Sequence, residues 1–307
     1  MSSSSNPLFI VLSFFSIYII WGSTYLLNKI AVSELPPFKL ASIRFIVAGL
    51  LIFLIARLLK INLYITRRQF LNTAIVGFLF LTFGNGVVVW ALRFVDSGMA
   101  ALQISAQPLV VLLLMRLIDG KKIQPMSILG VFLGMIGIYL LVSQKQLISN
   151  ENTLVGMAMI LACMISWGLG SIYVGKADMP SSSFVNTGYQ MLTGGIMLFI
   201  TSFFLGEEWT TPTAWSAPVQ LSMVLLVVFG SIVAFTSFNY LLKTVSPEKV
   251  ATSTYVNPII AMGLGWYFLN ETITLQSVIA AVVLLSGVYF INTKKKLKIN
   301  SLISRKV

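Results

Sequence analysis

The stretch VDSGMAALQISAQPLVVLLLMRLI, residues 95–118, is answered 150 residues later by VSPEKVATSTYVNPIIAMGLGWYF, residues 245–268. Each is long and apolar enough to cross the hydrocarbon core of a bilayer as a helix, which takes about 20 residues. Each also has a proline near its middle. At this offset Val95 falls on Val245, Ala101 on Ala251, Pro108 on Pro258 and Leu114 on Leu264. The register continues through Ile123 and Ile273, Ser127 and Ser277, Gly137 and Gly287, and Tyr139 and Tyr289. Upstream, an offset of 146 brings Trp21-Gly22 onto Trp167-Gly168, Ala31 onto Ala177, Phe38 onto Phe184, Gly49 onto Gly195 and Phe53 onto Phe199. Trp, Gly, Pro and Tyr carry the weight of these matches, because Leu, Val and Ala recur by composition alone. The four-residue change of offset falls in a loop, where insertions are tolerated.

The composition agrees with a chain that lives in lipid. Of 307 residues, 57% are apolar and 10% charged, with a mean hydropathy of +0.91. A soluble domain carries about 25% charged residues to cover its wet surface, so a soluble enzyme is excluded. Ten spans are expected, at 8–30, 38–59, 69–92, 96–118, 125–143, 153–174, 183–205, 217–242, 247–268 and 274–292. The loops between them are too short to hold a globular domain. Met1 to Asn6 has no basic residue before the first run, and that run exceeds a signal-peptide core, so it reads as a retained helix. The single cysteine, Cys163, permits no internal disulfide.

The expected fold is therefore an all-α polytopic membrane protein whose ten transmembrane helices form two inverted five-helix repeats, residues 1–148 and 149–293, with a basic tail at 294–307. Five spans per repeat is odd, so the second half enters the membrane from the opposite side to the first, about a pseudo-twofold axis in the membrane plane. The net charge of +12 records orientation rather than nucleic-acid binding. With both termini inside, sixteen Lys and Arg lie on inner segments, the last six of them in the tail, against four on outer loops, Lys29, Lys39, Arg93 and Lys145. That is the positive-inside pattern, and it puts both termini in the cytoplasm of a cell with a plasma (inner) membrane.

Two five-helix halves, each with Trp-Gly in its first span and Pro in its fourth, resemble the EamA-type families of the drug/metabolite transporter superfamily. Pro36-Pro37-Phe38 through Arg44-Phe45 resembles that family's second-span opening. Leu269 to Gln276 after Pro258 resembles its acidic turn between the ninth and tenth spans. The likeness covers residues 10 to 292. The first half departs from it, with Asp119-Gly120-Lys121-Lys122 where a Glu is expected, which favours a structural role for that turn. The resemblance implies transport of a small metabolite across the cell membrane, often export of amino acids or related compounds.

The residues suggest where a substrate sits. A proline has no N–H, so Pro108 and Pro258 leave the carbonyls of Ile104 and Thr254 without their helical donor. In hydrocarbon such a carbonyl needs a neighbour, a water or a ligand. Gln103, Ser105 and Gln107 precede one proline, and Ser253, Thr254, Tyr255 and Asn257 the other. Paired kinked, polar helices in the two halves point to a midplane site, though a packing kink closed by a hydroxyl is the plainer account. Trp21 and Tyr25 in the first span, with Trp167 and Tyr173 in the sixth, are candidate cavity walls. Asn85 and Asn239 either bind substrate or bridge helices. Arg44, about 9 Å into its span, suits snorkelling or capping a helix end, with an anion ligand as the functional alternative; the repeat places Gln190 there. Asp96 and Glu248 suit helix N-termini.

No Asp, Glu or His lies mid-span, and neither a metal-ligand cluster nor a nucleotide loop is present, so an enzyme is not expected and no cofactor is required. A neutral or zwitterionic small molecule with an apolar part fits such a cavity. The leading expectation is a secondary transporter working by alternating access, as an exporter. The alternatives are a translocator of lipid-linked or amphipathic headgroups, and a scaffold whose tail binds anionic lipid.

Overall fold

The computed structural model describes residues 7–120, 125–143, 152–245, 250 and 253–292, and every regular element among them is helical. In chain order these are α1 (Pro7–Val32), α2 (Pro37–Leu58), α3 (Arg67–Ala91), α4 (Ser97–Asp119), α5 (Pro125–Val142), α6 (Asn152–Val174), α7 (Ser183–Phe204), α8 (Ala217–Leu241), α9 (Ser253–Leu269) and α10 (Leu275–Asn292). Among the described residues α1, α2, α3, α4, α6 and α8 are long and apolar enough to cross a membrane. Shorter apolar stretches, Met126–Leu141, Val256–Leu269 and Leu275–Phe290, lie in α5, α9 and α10. The tail at 294–307, and with it Lys121, Lys122, Lys145, Glu248 and Lys249, lies outside the described residues.

The outer surface is apolar, unlike that of a soluble protein, and several polar side chains are buried. Leu8, Phe9, Leu117, Phe132, Phe204 and Tyr267 point outward, while Asn28, Lys39, Arg44, Gln103, Asn186, Gln190 and Asn239 are buried. An apolar girdle of that extent is costly in water and stable in lipid. The chain is a multi-pass membrane protein.

Helix starts are closed in two ways. Thr66 and Gln69 form a reciprocal capping box on α3, and Ser182 Oγ accepts from Val185 N on α7. By contrast, α2 and α4 begin without a side-chain cap of their own. Asp96 stands at the start of α4, where an acid is expected, but makes no side-chain capping bond. Glu271 does so instead, accepting from Ser97 N at 2.8 Å, Ser97 Oγ at 2.9 Å and Gly98 N at 3.1 Å. Glu207 does the same for α2, through Phe38 N at 3.2 Å and Lys39 N at 2.7 Å.

Some backbone features fall at the offsets of the sequence matches. Among the described residues, positive φ occurs at Lys60, Gly120, Gly206 and Asn270. Lys60 and Gly206 differ by 146 and close α2 and α7; Gly120 and Asn270 differ by 150 and follow α4 and α9. A π-helical stretch interrupts α3 at Phe78–Asn85 and α8 at Leu226–Val233, and a third lies in α1 at Ser16–Ile20. The broadest interfaces join α2 to α7 and α5 to α10, and both cross at glycines. A Cβ on Gly49 would lie 2.8 Å from Leu192, and one on Gly195 2.8 Å from Ile46. Gly137 meets Leu284, and Gly287 meets Gly134. The paired contacts map onto one another under the offsets of 146 and 150. The fourth helices differ: α4 breaks at Ser105–Ala106 and Pro108 opens its second segment, whereas Pro258 lies inside a continuous α9.

Candidate substrate site

Five rings gather where the halves meet. Trp21 of α1 lies edge-on to Trp167 of α6, with centroids 6.2 Å apart. Trp167 stacks on Phe80 of α3 at 4.5 Å. Phe238 of α8 sits 5.0 Å from Trp21 and 6.2 Å from Trp167, and Phe235 closes the group at 6.3 and 6.5 Å. These are ordinary edge and offset geometries for aromatic pairs. Both tryptophans and Phe238 are only half-buried, so the group presents ring surface rather than sealing it away. The π stretch of α3 makes room, since a Cβ on Gly84 would collide with the Trp167 indole nitrogen. Ser166 Oγ donates to the Leu79 carbonyl of that stretch at 2.7 Å, supplying from α6 a donor for irregular backbone.

The expected site residues separate into groups. Trp21 and Trp167 come together. Gln103 and Gln107 face α6 instead, donating to the carbonyls of Met157 (2.8 Å) and Met164 (2.9 Å). Tyr173 donates to Asn72 Oδ1 at 2.8 Å, and Asn239 Nδ2 to Thr187 Oγ1 at 2.7 Å. The Asn257 amide, turned so that its nitrogen faces the acceptors, donates to Ile17 and Tyr18 of the α1 π stretch, both at 2.9 Å. Tyr25 packs against the larger apolar core, away from the five rings. Asn85 keeps a buried Oδ1 with no partner, as does Gln103 with its Oε1. The Tyr255 side chain lies outside the described residues. Phe80, Phe235 and Phe238 were not singled out by sequence. In a chain with 21 phenylalanines their only signal is position, in or beside the π stretches.

Arg44 does not snorkel. It is 3% exposed, donating from Nε to Ser231 Oγ at 2.8 Å and from Nη1 to Asn28 Oδ1 at 3.4 Å. Lys39, fully buried, is held by the Glu208 carbonyl and Thr210 Oγ1 between Trp209 and Trp215.

Charge at the helix ends is uneven. Beside Glu271, burial holds the Asp96 carboxyl above the usual range, the neighbouring Glu271 adds to this, and Lys29 opposes it. Lys29 itself donates to the Leu92 and Val95 carbonyls, both at 2.7 Å. Glu34 is held below the usual range by hydrogen bonds from Ser216. A cleft lined by Asp96, Met99, Met262, Glu271 and Ser277 opens here and shares no residue with the five rings. At the opposite end Lys176 pairs with Asp119, and Gln69 and Asn72 reach Asp178. Among the described residues no three His, Cys, Asp or Glu gather as a metal site.

The model of the EamA-like transporter family matches twice, over residues 8–143 and 154–293. An uncharacterized inner membrane transporter of Escherichia coli (strain K12), YedA, is 36% identical over 95% of this chain and 92% of its own. An uncharacterized transporter of Bacillus subtilis (strain 168), YoaV, is 23% identical over 92% and 96%. A chloroplastic WAT1-related protein of Arabidopsis thaliana is 26% identical over 90% and 67%. A solved crystal structure superposes with a TM-score of 0.67 at 16% identity, covering 93% of this chain and 96% of that one; at that identity it shows the fold alone.

Proposed function

The chain belongs to the EamA-like transporter family, and from this we propose that it is a secondary carrier moving a small organic metabolite across the bacterial inner membrane. Its ten helices act as two inverted sets of five, residues 1–148 and 149–293, with both termini in the cytoplasm. The cycle alternates access to a central site, and net movement is outward. The substrate is a small molecule with an apolar part, taken up in the space that Trp21 and Trp167 border.

The observation that carries this reading is the aromatic group itself. Its members come from both halves, three of them (Trp21, Trp167 and Phe238) are half-buried, and they lie in or against π-interrupted helices. A site shared between halves changes its exposure whenever the halves rock against each other, as alternating access requires. The reciprocal glycine contacts, the matched positive-φ residues and the twofold family match support the inverted arrangement. The basic end, with Arg57, Lys60, Arg67, Arg68, Arg116 and Lys176, supports a cytoplasmic placement of that end.

The test is solute flux in sealed proteoliposomes across amino acids, nucleosides, sugars and polyamines. Flux of at least one class is expected, lowered tenfold or more by Trp167→Ala with the unfolding temperature nearly unchanged. Absence of flux across the panel, or movement of labelled lipid alone, would overturn the reading.

A further inference from the structure

Arg44 is a cation without a counter-charge. Its guanidinium, together with Asn28 (4% exposed) and Ser231 (fully buried), lies inside the protein. Among the described residues the ion pair is Lys176 with Asp119, and no carboxylate reaches Arg44. Two neutral oxygens, one at the long distance of 3.4 Å, and the face of the Phe45 ring 4.8 Å from the guanidinium carbon offset only part of the several kcal/mol that removing an ion from water costs. The planar fork of a guanidinium matches a carboxylate far better than it matches these two acceptors. Gly230 packs closely beside the guanidinium, since a Cβ there would lie 2.9 Å from Thr24 Cγ2 and 3.2 Å from Nη2. In the repeat the position is taken by neutral Gln190, so the charge belongs to one half only.

The guanidinium and the five rings lie along one stripe. Trp21, Thr24 and Asn28 are spaced i, i+3, i+7 and share a face of α1, while Ser231, Phe235 and Phe238 are spaced i, i+4, i+7 and share a face of α8. Trp21 meets Phe235 and Phe238 at one end of this stripe. Arg44 bridges Asn28 and Ser231 at the other. Seven residues of α1 separate the two ends, about 10 Å at 1.5 Å per residue. That is the length of a ring joined to a carboxylate by a short chain.

We propose that Arg44, positioned by Asn28 and Ser231, is the anion-binding end of a two-part substrate site whose apolar end is the Trp21–Trp167 group. The substrate class is an organic monocarboxylate with an aromatic or apolar body. This rests on the carrier reading and narrows it. A carboxylate arriving at Nη1 and Nη2 displaces the weak Asn28 contact and supplies the missing counter-charge.

The test uses the full chain in lipid nanodiscs with a matched pair of probes, 3-phenylpropionate and its neutral amide, read by tryptophan fluorescence and thermal unfolding. The acid is expected to bind at least tenfold more tightly than the amide. Arg44→Gln should bring that ratio close to one. Asn28→Asp sets a carboxylate beside the guanidinium, so it should also remove the preference for acid while keeping or raising the unfolding temperature, which excludes misfolding as the cause. Equal binding of acid and amide by the unaltered chain, no binding of either, or a tenfold preference surviving in Asn28→Asp would each overturn the proposal. The carrier reading fails separately, on the flux panel: flux without acid preference sinks only the anion site, and acid-selective binding without any flux sinks only the carrier.

Discussion

The two ends of the molecule share a backbone plan and differ in chemistry. At the end bearing Glu207 and Glu271, helices α2 and α4 of the first half begin on carboxylates that belong to the second half. At the other end α3 and α7 close with their own Thr66 and Ser182, and Ile61 stands at the position that corresponds to Glu207. The left-handed turns match at both ends, so the backbone repeat does not depend on these acids. What the acids add is a helix cap supplied by one half to the other; the opposite end is bridged instead by the Lys176–Asp119 pair and by Gln69 and Asn72 on Asp178.

The largest effect expected is at the Glu271 cap. Glu271→Ala strips three donors at the start of α4, and a loss of about 3 kcal/mol should follow, seen as a drop in thermal unfolding temperature; an unchanged midpoint would mean the cap is idle. Next come the glycines of the α2–α7 crossing. Gly49→Ala and Gly195→Ala each push a Cβ into a side chain at 2.8 Å and should each cost about 2 kcal/mol. Because the contacts are reciprocal, the two losses should agree; strongly unequal values would break the twofold description. At the opposite end, Ser182→Ala removes one cap within a single half and should cost about 1 kcal/mol, measured the same way. A loss as large as that of Glu271→Ala would erase the contrast between the ends.

The smallest effect is a pH dependence. Asp96 is held above its ordinary carboxyl value by burial and by Glu271, while the unfolded chain titrates near pH 4. Ionised Asp96 therefore penalises the folded state. The penalty is absent below about pH 4 and grows as pH rises through the folded value. Asp96→Asn should raise the unfolding temperature at neutral pH, with the gain vanishing near pH 4. An equal gain at both pH values would remove the electrostatic explanation.

The all-helical, membrane-spanning character of the chain was legible because its constraints are local and periodic. Apolar runs of bilayer length and Trp, Gly and Pro in register need no knowledge of contacts, and the offsets of 146 and 150 reappear as matched left-handed turns at Lys60 and Gly206, and at Gly120 and Asn270. The site was legible only in part. Trp21 and Trp167 stood out by rarity and register, and they do meet. Gln103 and Gln107 looked like cavity residues from their place beside Pro108, yet their donors are taken by α6 carbonyls, a pairing that spacing within α4 cannot reveal. Asp96 was placed at the start of α4, but the carboxylate that accepts the bonds there was not legible, because Glu271 is 174 residues away along the chain from Ser97. The π stretches of α3 and α8, which shape the aromatic group, leave no periodic trace in sequences already apolar throughout.

The most direct measurement locks one end and asks whether flux stops. A Cβ on Gly98 would stand 3.4 Å from the Met262 Cβ, close to the spacing of a disulfide. Gly98→Cys with Met262→Cys, in a Cys163→Ser background, can therefore join α4 to α9 across the halves. The account predicts that oxidation abolishes solute flux in proteoliposomes and that reduction restores it. Undiminished flux with the disulfide fully formed would contradict it.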